Sequence, residues 1–116
     1  MLWAWGMDAA ADEATATREA ARLGRALQHV RNVRATNSLV DAAYVADGRL
    51  GGMTNRSTRI WDIAAPMLIV AEAGGLYTRD DGASIALDVS AAAAERVYAV
   101  MAAAPALHRQ MLDAMR

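Results

Sequence analysis

Cysteine, lysine and phenylalanine are all absent from this chain of 116 residues. Without cysteine, the chain can form neither disulfides nor thiolate metal sites, so nothing in it calls for an oxidising compartment. Its 12 basic residues are all arginine, and they are spread along the sequence among 13 acidic residues, for a net charge of −1. A nucleic-acid-binding surface gathers basic residues into a patch, so this distribution argues against nucleic acid as a partner.

Long apolar runs are absent as well. No run reaches the roughly 18 residues that a membrane-spanning helix needs, so we predict no membrane partner. The apolar opening, Met1 to Gly6, is shorter than a secretory signal and lacks its basic flank, which favours a cytoplasmic location. The length suits one modest hydrophobic core, and no linker or repeat is visible, so we expect residues 1–116 to form a single domain.

The periodicity of the apolar residues predicts strands that alternate with helices. Such alternation is typical of an α/β protein in which helices pack on a layered sheet. The predicted strands are 1–6, 33–36, 49–55, 76–79, 85–89 and 95–101, and the predicted helices are 12–30, 39–47, one starting near 62, and 105–116.

Several element ends are marked by residues with known backbone preferences. Asn37 or Ser38 is predicted to cap the second helix, which Gly48 ends. Pro105 suits the first turn of the last helix, where its missing N–H has no intrahelical partner. Pro66 is acceptable on the same ground if its helix begins near Asp62.

The most informative stretch is residues 59–75, where Asp62 follows Trp61 at the start of an apolar helix that ends at two glycines. A carboxylate in this position is either a helix cap or a metal ligand. Aspartate is a preferred capping residue, so the local pattern alone favours the cap.

Three motifs together resemble the C-terminal half of the inositol monophosphatase family, which comprises Mg²⁺-dependent, lithium-sensitive sugar and nucleotide phosphatases. The first is the Trp61-Asp62 helix with its closing glycines. The second is residues 40–50, which end in Val-Ala-x-Gly-Arg-Leu, and the third is residues 99–108, where small residues precede a proline. The resemblance covers residues 30–116 well and residues 1–29 loosely. It implies a layered sheet with packed helices like the C-terminal half of the inositol monophosphatase (sugar phosphatase) fold.

Two other motifs of that family, a Gly-Glu-Glu-type metal ligand and Asp-Pro-x-Asp-Gly-Thr, occur nowhere in the chain. The one acidic cluster, residues 80–82, is predicted to be a hairpin turn in which Gly82 supplies a positive φ. His29 and His108 are predicted to be surface or packing residues. The resemblance therefore implies that an N-terminal catalytic half is absent from this sequence.

The resemblance also changes the interpretation of Asp62 from a cap to a metal ligand. Magnesium takes near-octahedral oxygen coordination, so one aspartate supplies a single ligand. The resemblance implies that Asp62 binds a Mg²⁺ ion, which carboxylates of the N-terminal half also bind. Two or more such ions would polarise the phosphate ester and lower the pKa of an attacking water.

The residues that resemble the family's substrate contacts depart from its pattern. Thr36, Asn37 and Ser38 replace a glycine-containing turn whose backbone approaches the substrate hydroxyls. Asn55 stands seven residues before Asp62, where inositol-hydrolysing members have a glutamate that accepts hydrogen bonds from the ring. An amide donates and accepts but carries no charge, which weakens the case for inositol. All four are candidate substrate contacts, and simple turn roles remain the alternative.

Two functions follow from these features. The first is the C-terminal module of a Mg²⁺-dependent phosphomonoesterase that hydrolyses inositol, sugar or related phosphates, and is inactive until an N-terminal half completes it in cis or in trans. The second is a catalytically silent remnant, or a binding module that assembles through an uncovered sheet face, for example as a homo-oligomer.

Overall fold

A computed structural model of the chain describes residues 1–116 and confirms the predicted α/β architecture. Strands and helices alternate over most of its length. The strands are β1 (Leu2–Trp5), β2 (Asn32–Arg34), β3 (Gly52–Thr58), β4 (Leu76–Arg79) and β5 (Tyr98–Ala103), and the helices are α1 (Glu13–Ala26), α2 (Val40–Ala46), α3 (Ile60–Glu72) and α4 (Pro105–Met115). None of these helices has the combination of length and apolarity needed to cross a bilayer.

The five strands form one mixed sheet in the order β2-β1-β3-β5-β4. β1 runs parallel to both of its neighbours, whereas β5 runs antiparallel to β3 and β4. Gly52 in β3 is paired with Trp3 on one side and with Ala103 on the other. The register thus brings residues from the beginning, middle and end of the sequence side by side.

Helices cover both faces of this sheet. Because side chains alternate along a strand, Trp3 and Trp5 face one way and Ala4 faces the other. The tryptophans share a face, as their spacing predicted, and there they pack with Met111 and Met115 of α4 and with Ala26 of α1. The opposite face packs against α2 and α3. The uncovered sheet face expected for an assembly module is therefore absent.

The helix α1 begins where its sequence predicts and ends earlier. Asp12 is the N-cap, and its carboxylate accepts a hydrogen bond from the Thr15 N–H at 2.7 Å. The predicted helix extended to Val30, but the structured helix stops at Ala26. The chain turns there because β2 must return beside β1, and the Arg31 N–H donates to the Met1 carbonyl.

The interpretation of Pro66 was wrong. α3 begins at Ile60, so Pro66 is its seventh residue and lies in the helix interior. The carbonyl of Asp62 consequently lacks the N–H that residue 66 would normally donate. The capping prediction for α2 is partly right. Leu39, and not Asn37 or Ser38, is the N-cap residue, but the Ser38 hydroxyl accepts a hydrogen bond from the Val40 N–H at 3.3 Å.

The predicted strands at 49–55 and 85–89 also differ from the structure. β3 continues to Thr58, which pairs with Tyr98 beyond a register shift. The predicted turn at residues 80–82 and the positive φ of Gly82, 89°, are confirmed, but residues 85–89 form no strand, so the predicted hairpin is absent. Side chains hold this segment instead: Ile85 and Leu87 pack against the sheet, and the Asp88 N–H donates to the Tyr98 hydroxyl.

Candidate functional site

Asp62 lies in the first turn of α3, two residues after the helix begins. Its Oδ2 accepts a hydrogen bond from the N–H of Arg59, the N-cap residue, at 2.7 Å. Oδ1 makes no hydrogen bond. One oxygen therefore stabilises the helix start and the other is available, so capping and ligand binding are compatible roles for this carboxylate.

A cavity of about 130 Å³ opens beside Asp62. It lies where α2 and α3 approach β3, and three of the four predicted substrate contacts line it: Asn37, Ser38 and Asn55. The lining also includes Ser57 and Tyr77, which the sequence did not single out. The structure thus brings the predicted carboxylate and most of the predicted polar contacts into one small concave site.

Thr36 is the exception. It is not among the residues that line the cavity, and its hydroxyl donates a hydrogen bond to Oδ1 of Asp41. The buried Asp41 carboxylate also accepts from the Ser38 N–H at 3.3 Å. Thr36 therefore holds the turn before α2 in place.

Two asparagine side chains form one wall of the cavity. The Asn55 amide donates to Oδ1 of Asn37, and the Asn37 amide donates to Oδ1 of Asp8 at 3.0 Å. Oδ1 of Asn55 accepts from the Ser57 N–H. This chain of hydrogen bonds fixes the orientation of both amides and joins the loop after β1 to the loop before α2 and to β3.

Tyr77 was missed because β4 looked like an ordinary strand in the sequence. Its side chain faces the α2 and α3 layer and lines the cavity, and its hydroxyl makes no hydrogen bond. Burial, together with the nearby negative charge of Asp62, raises the pKa of Tyr77 above its ordinary value. The phenol therefore stays protonated and can donate a hydrogen bond into the cavity. The alternation of β4 was the one sequence signal that could have placed it on this face.

The residues present do not by themselves make a magnesium site. Mg²⁺ requires about six oxygen ligands in near-octahedral geometry. No group of three or more acidic or histidine side chains is clustered anywhere in the chain. Asp62 supplies one free carboxylate oxygen, and the Asn37 and Asn55 oxygens already accept hydrogen bonds.

The outer surface of α3 is unusually apolar for an exposed helix face. Trp61 is 61% exposed, Leu68 64% and Ile69 48%. A helix that is hydrophobic on all sides is normally covered on all sides, and exposed apolar patches commonly mark interaction surfaces. Trp61 precedes Asp62 in the first turn of α3, so this surface begins at the same helix end as the cavity, although Trp61, Leu68 and Ile69 do not line the cavity.

Comparison with known proteins gives consistent matches along nearly the whole chain. Residues 7–114 match the model of the inositol monophosphatase family. The inositol-1-monophosphatase ImpA of Mycolicibacterium smegmatis is 40% identical over 96 residues, which cover 83% of this chain and 31% of that protein. The fructose-1,6-bisphosphatase/inositol-1-monophosphatase of Thermococcus kodakarensis is 34% identical over 99 residues, 80% of this chain and 38% of that protein.

The fold has solved counterparts. The crystal structure of the extragenic suppressor protein suhB from Bartonella henselae matches with a TM-score of 0.79 and 25% identity, over 99% of this chain and 41% of that one. The expected likeness of fold is confirmed. The chain spans between 31% and 41% of the length of these relatives.

Proposed function

This chain belongs to the inositol monophosphatase family, and from that premise we propose that it is one module of a Mg²⁺-dependent phosphomonoesterase acting on a small phosphate ester. One observation carries the proposal. Asp62, the aspartate of the Trp-Asp motif, has a carboxylate oxygen that accepts no hydrogen bond, and it lines a cavity together with amide and hydroxyl side chains.

The cavity is chemically suited to a phosphate ester. The first-turn N–H groups of a helix carry partial positive charge, which favours an anion near the start of α3. The Tyr77 hydroxyl has no partner and can donate a hydrogen bond to a phosphate or alcohol oxygen. Asn37 and Asn55 offer neutral contacts in place of a carboxylate, so we propose sugar or related phosphates as well as inositol phosphates.

The proposed enzyme is completed by a second half. Asp62 alone cannot hold the metal, so Mg²⁺ would be shared with carboxylates supplied from outside this sequence. The stretch that this chain matches is 31% of the M. smegmatis relative and 41% of the B. henselae protein, which leaves room for such a half. The exposed apolar face of α3, beside Asp62, is the surface on which we propose that it packs.

The test is complementation. The 116-residue chain would be mixed with the segment of the M. smegmatis relative that this chain does not match, and phosphate release from myo-inositol 1-phosphate and glycerol 2-phosphate would be measured with and without Mg²⁺. We expect neither piece alone to hydrolyse either ester and the mixture to do so only with Mg²⁺. Asp62→Asn in the mixture should lower turnover by orders of magnitude.

Each result has a definite meaning. Robust turnover by the chain alone would contradict the need for a second half. Unchanged turnover in Asp62→Asn would leave this residue only its capping role. Association of the two pieces without hydrolysis of any ester would support the alternative, a silent binding module.

A further inference from the structure

A second, larger cavity lies between α1 and the loop that follows β1, on the sheet face that carries Trp3 and Trp5. Its volume is about 550 Å³, within the range of roughly 300 to 1,000 Å³ that is typical of small-molecule sites. We call it the α1 groove. It is lined by residues 5–11, by one face of α1 between Thr15 and Leu23, and by Arg56 and Ser57 of β3.

The wall formed by α1 is the apolar stripe that the helix periodicity marks. Ala16, Ala20 and Leu23 follow one another at four- and three-residue spacing, the pattern of a helix face that packs on a core. In the structure these residues line the α1 groove, and the two alanines are exposed. Leu23 is partly buried and packs against the tryptophan cluster, whereas the two alanines have no such contact, and their small side chains keep the groove open.

The α1 groove adjoins the cavity at Asp62. Ser57 lines both, and the hydrogen bond between Asn37 and Asp8 joins a residue of one lining to a residue of the other. The Asp62 cavity, at about 130 Å³, has room for little more than a phosphate group. A molecule with its phosphate beside Asp62 would extend past Ser57 into the larger space.

The charged groups of the α1 groove are already paired within the protein. Glu19 forms an ion pair with Arg56, and Asp8 accepts from Asn37. A second phosphate would therefore find no free cation there, whereas an uncharged apolar group would contact Trp5, Leu23 and several alanines. The lining selects against a bisphosphate and in favour of an apolar occupant.

We infer that the α1 groove receives the alcohol part of the substrate, and that this alcohol carries a bulky, largely apolar group. The inference rests on the proposed function for its link to the phosphate. The groove itself lies entirely within this chain, so binding there requires neither the metal nor the second half. The expected substrates are therefore phosphate monoesters of alcohols with an apolar ring or chain, and not phosphates of compact polyols.

The first experiment measures binding without catalysis. The uncharged probe 1-naphthol would be titrated into the ¹⁵N-labelled chain, with affinity from calorimetry and location from amide shift changes. We expect shifts confined to residues 5–11, 15–23, 56 and 57. Absence of binding, or shifts centred on Trp61 and Leu68 of α3, would overturn the inference.

Matched variants test the location. Ala20→Phe fills the α1 groove, while Ala21→Phe makes the same change at an exposed neighbour that does not line it. Ala20→Phe should weaken 1-naphthol binding about tenfold or more, and Ala21→Phe should not change it. Should Ala20→Phe fail to fold, Ala16→Leu narrows the same space. Equal effects of the lining and non-lining variants would refute the assignment.

A second readout separates this inference from the proposed function. In the complemented enzyme, Ala20→Phe should raise the KM for 1-naphthyl phosphate by a similar factor and leave the KM for glycerol 2-phosphate unchanged. If the mixture hydrolyses no ester but the chain still binds 1-naphthol in the groove, the proposed function fails and the binding site stands. If the mixture hydrolyses glycerol 2-phosphate but 1-naphthol does not bind, the proposed function stands and the inference about the α1 groove fails.

Discussion

Asn55 in β3 donates a side-chain hydrogen bond to Oδ1 of Asn37, 18 positions earlier in the sequence. Gly6 makes this arrangement possible because a Cβ at that position would lie 2.5 Å from Cγ of Asn55 and 2.9 Å from Oδ1 of Asn37. The loop after β1 therefore passes directly against the amide pair. The absence of a side chain at residue 6 sets the shape of the candidate site.

Gly6→Ala should consequently be destabilising. The added methyl group has to displace both amides, and such overpacking typically costs about 1 to 3 kcal/mol of unfolding free energy. Urea unfolding followed by tryptophan fluorescence measures it. Gly24→Ala is the matched control: it lies within α1 with open space around it, so it should stabilise the chain by about 0.5 to 1 kcal/mol. Equal effects at the two glycines would contradict the close approach.

The capping role of Asp62 can be separated from its proposed metal role by stability alone. Asp62→Ala removes the acceptor for the Arg59 N–H and should cost about 0.5 to 2 kcal/mol. Asp62→Asn keeps an oxygen in the same place, so its cost should be clearly smaller. Thermal unfolding of the isolated chain measures both costs. If Asp62→Asn destabilises the chain as much as Asp62→Ala does, the cap depends on the negative charge.

The buried histidine predicts a pH dependence of stability. His108 on α4 contacts the Thr78 hydroxyl through Nε2 at 2.7 Å, and burial lowers the pKa of His108 below its ordinary value of 6.5. The unfolded state then binds the proton more readily than the folded state. The stabilisation is complete above the ordinary pKa and is lost as the pH falls through the lowered one.

The unfolding free energy should therefore be smaller at about pH 5.5 than at about pH 8. Urea titrations at the two values measure the difference. His108→Gln should reduce it, while His29→Gln, at an exposed position, should leave it unchanged. If the difference in unfolding free energy between the two pH values is the same in both variants, groups other than His108 cause the pH dependence.

The exposed face of α3 predicts where a second half associates. Leu68→Arg places a charge in the centre of this apolar surface and should abolish association with the complementing segment, as judged by size-exclusion chromatography with light scattering. Leu27→Arg is the control because Leu27 is also exposed, at 50%, but follows α1 on the opposite side of the sheet. Loss of association in both variants would point to a general effect on solubility or folding.

Local signals in the sequence were sufficient for most elements. Asp12, Gly82 and Pro105 each act where their backbone preferences place them, and the spacing of Trp3 and Trp5 predicted a shared face. The predictions that failed depended on tertiary contacts. Residues 85–89 alternate like a strand, but Ile85 and Leu87 instead pack their side chains against the sheet, and the outer edge of β4 stays unpaired.

The site shows the same division. The Trp-Asp motif identified Asp62, and family spacing identified Asn37, Ser38 and Asn55, all of which line one cavity. The alternation of β4 indicates only which face Tyr77 occupies, and its place in the cavity, like the α1 groove, depends on how distant elements meet. The start of a helix is harder to predict than its presence. Pro66 was placed in the first turn because the helix was expected to begin near Asp62, but α3 begins two residues earlier, at Ile60.

The strand order has a consequence for how the chain reaches its native state. Gly52 pairs with residues 3 and 103, so the central three strands cannot assemble until the first, middle and last parts of the polypeptide have met. Topologies dominated by such distant pairings fold slowly compared with helical bundles. During synthesis, β1 must therefore remain unpaired with β3 until β3, which ends at Thr58, has emerged, and β3 must remain unpaired with β5 until β5, which ends at Ala103, has emerged.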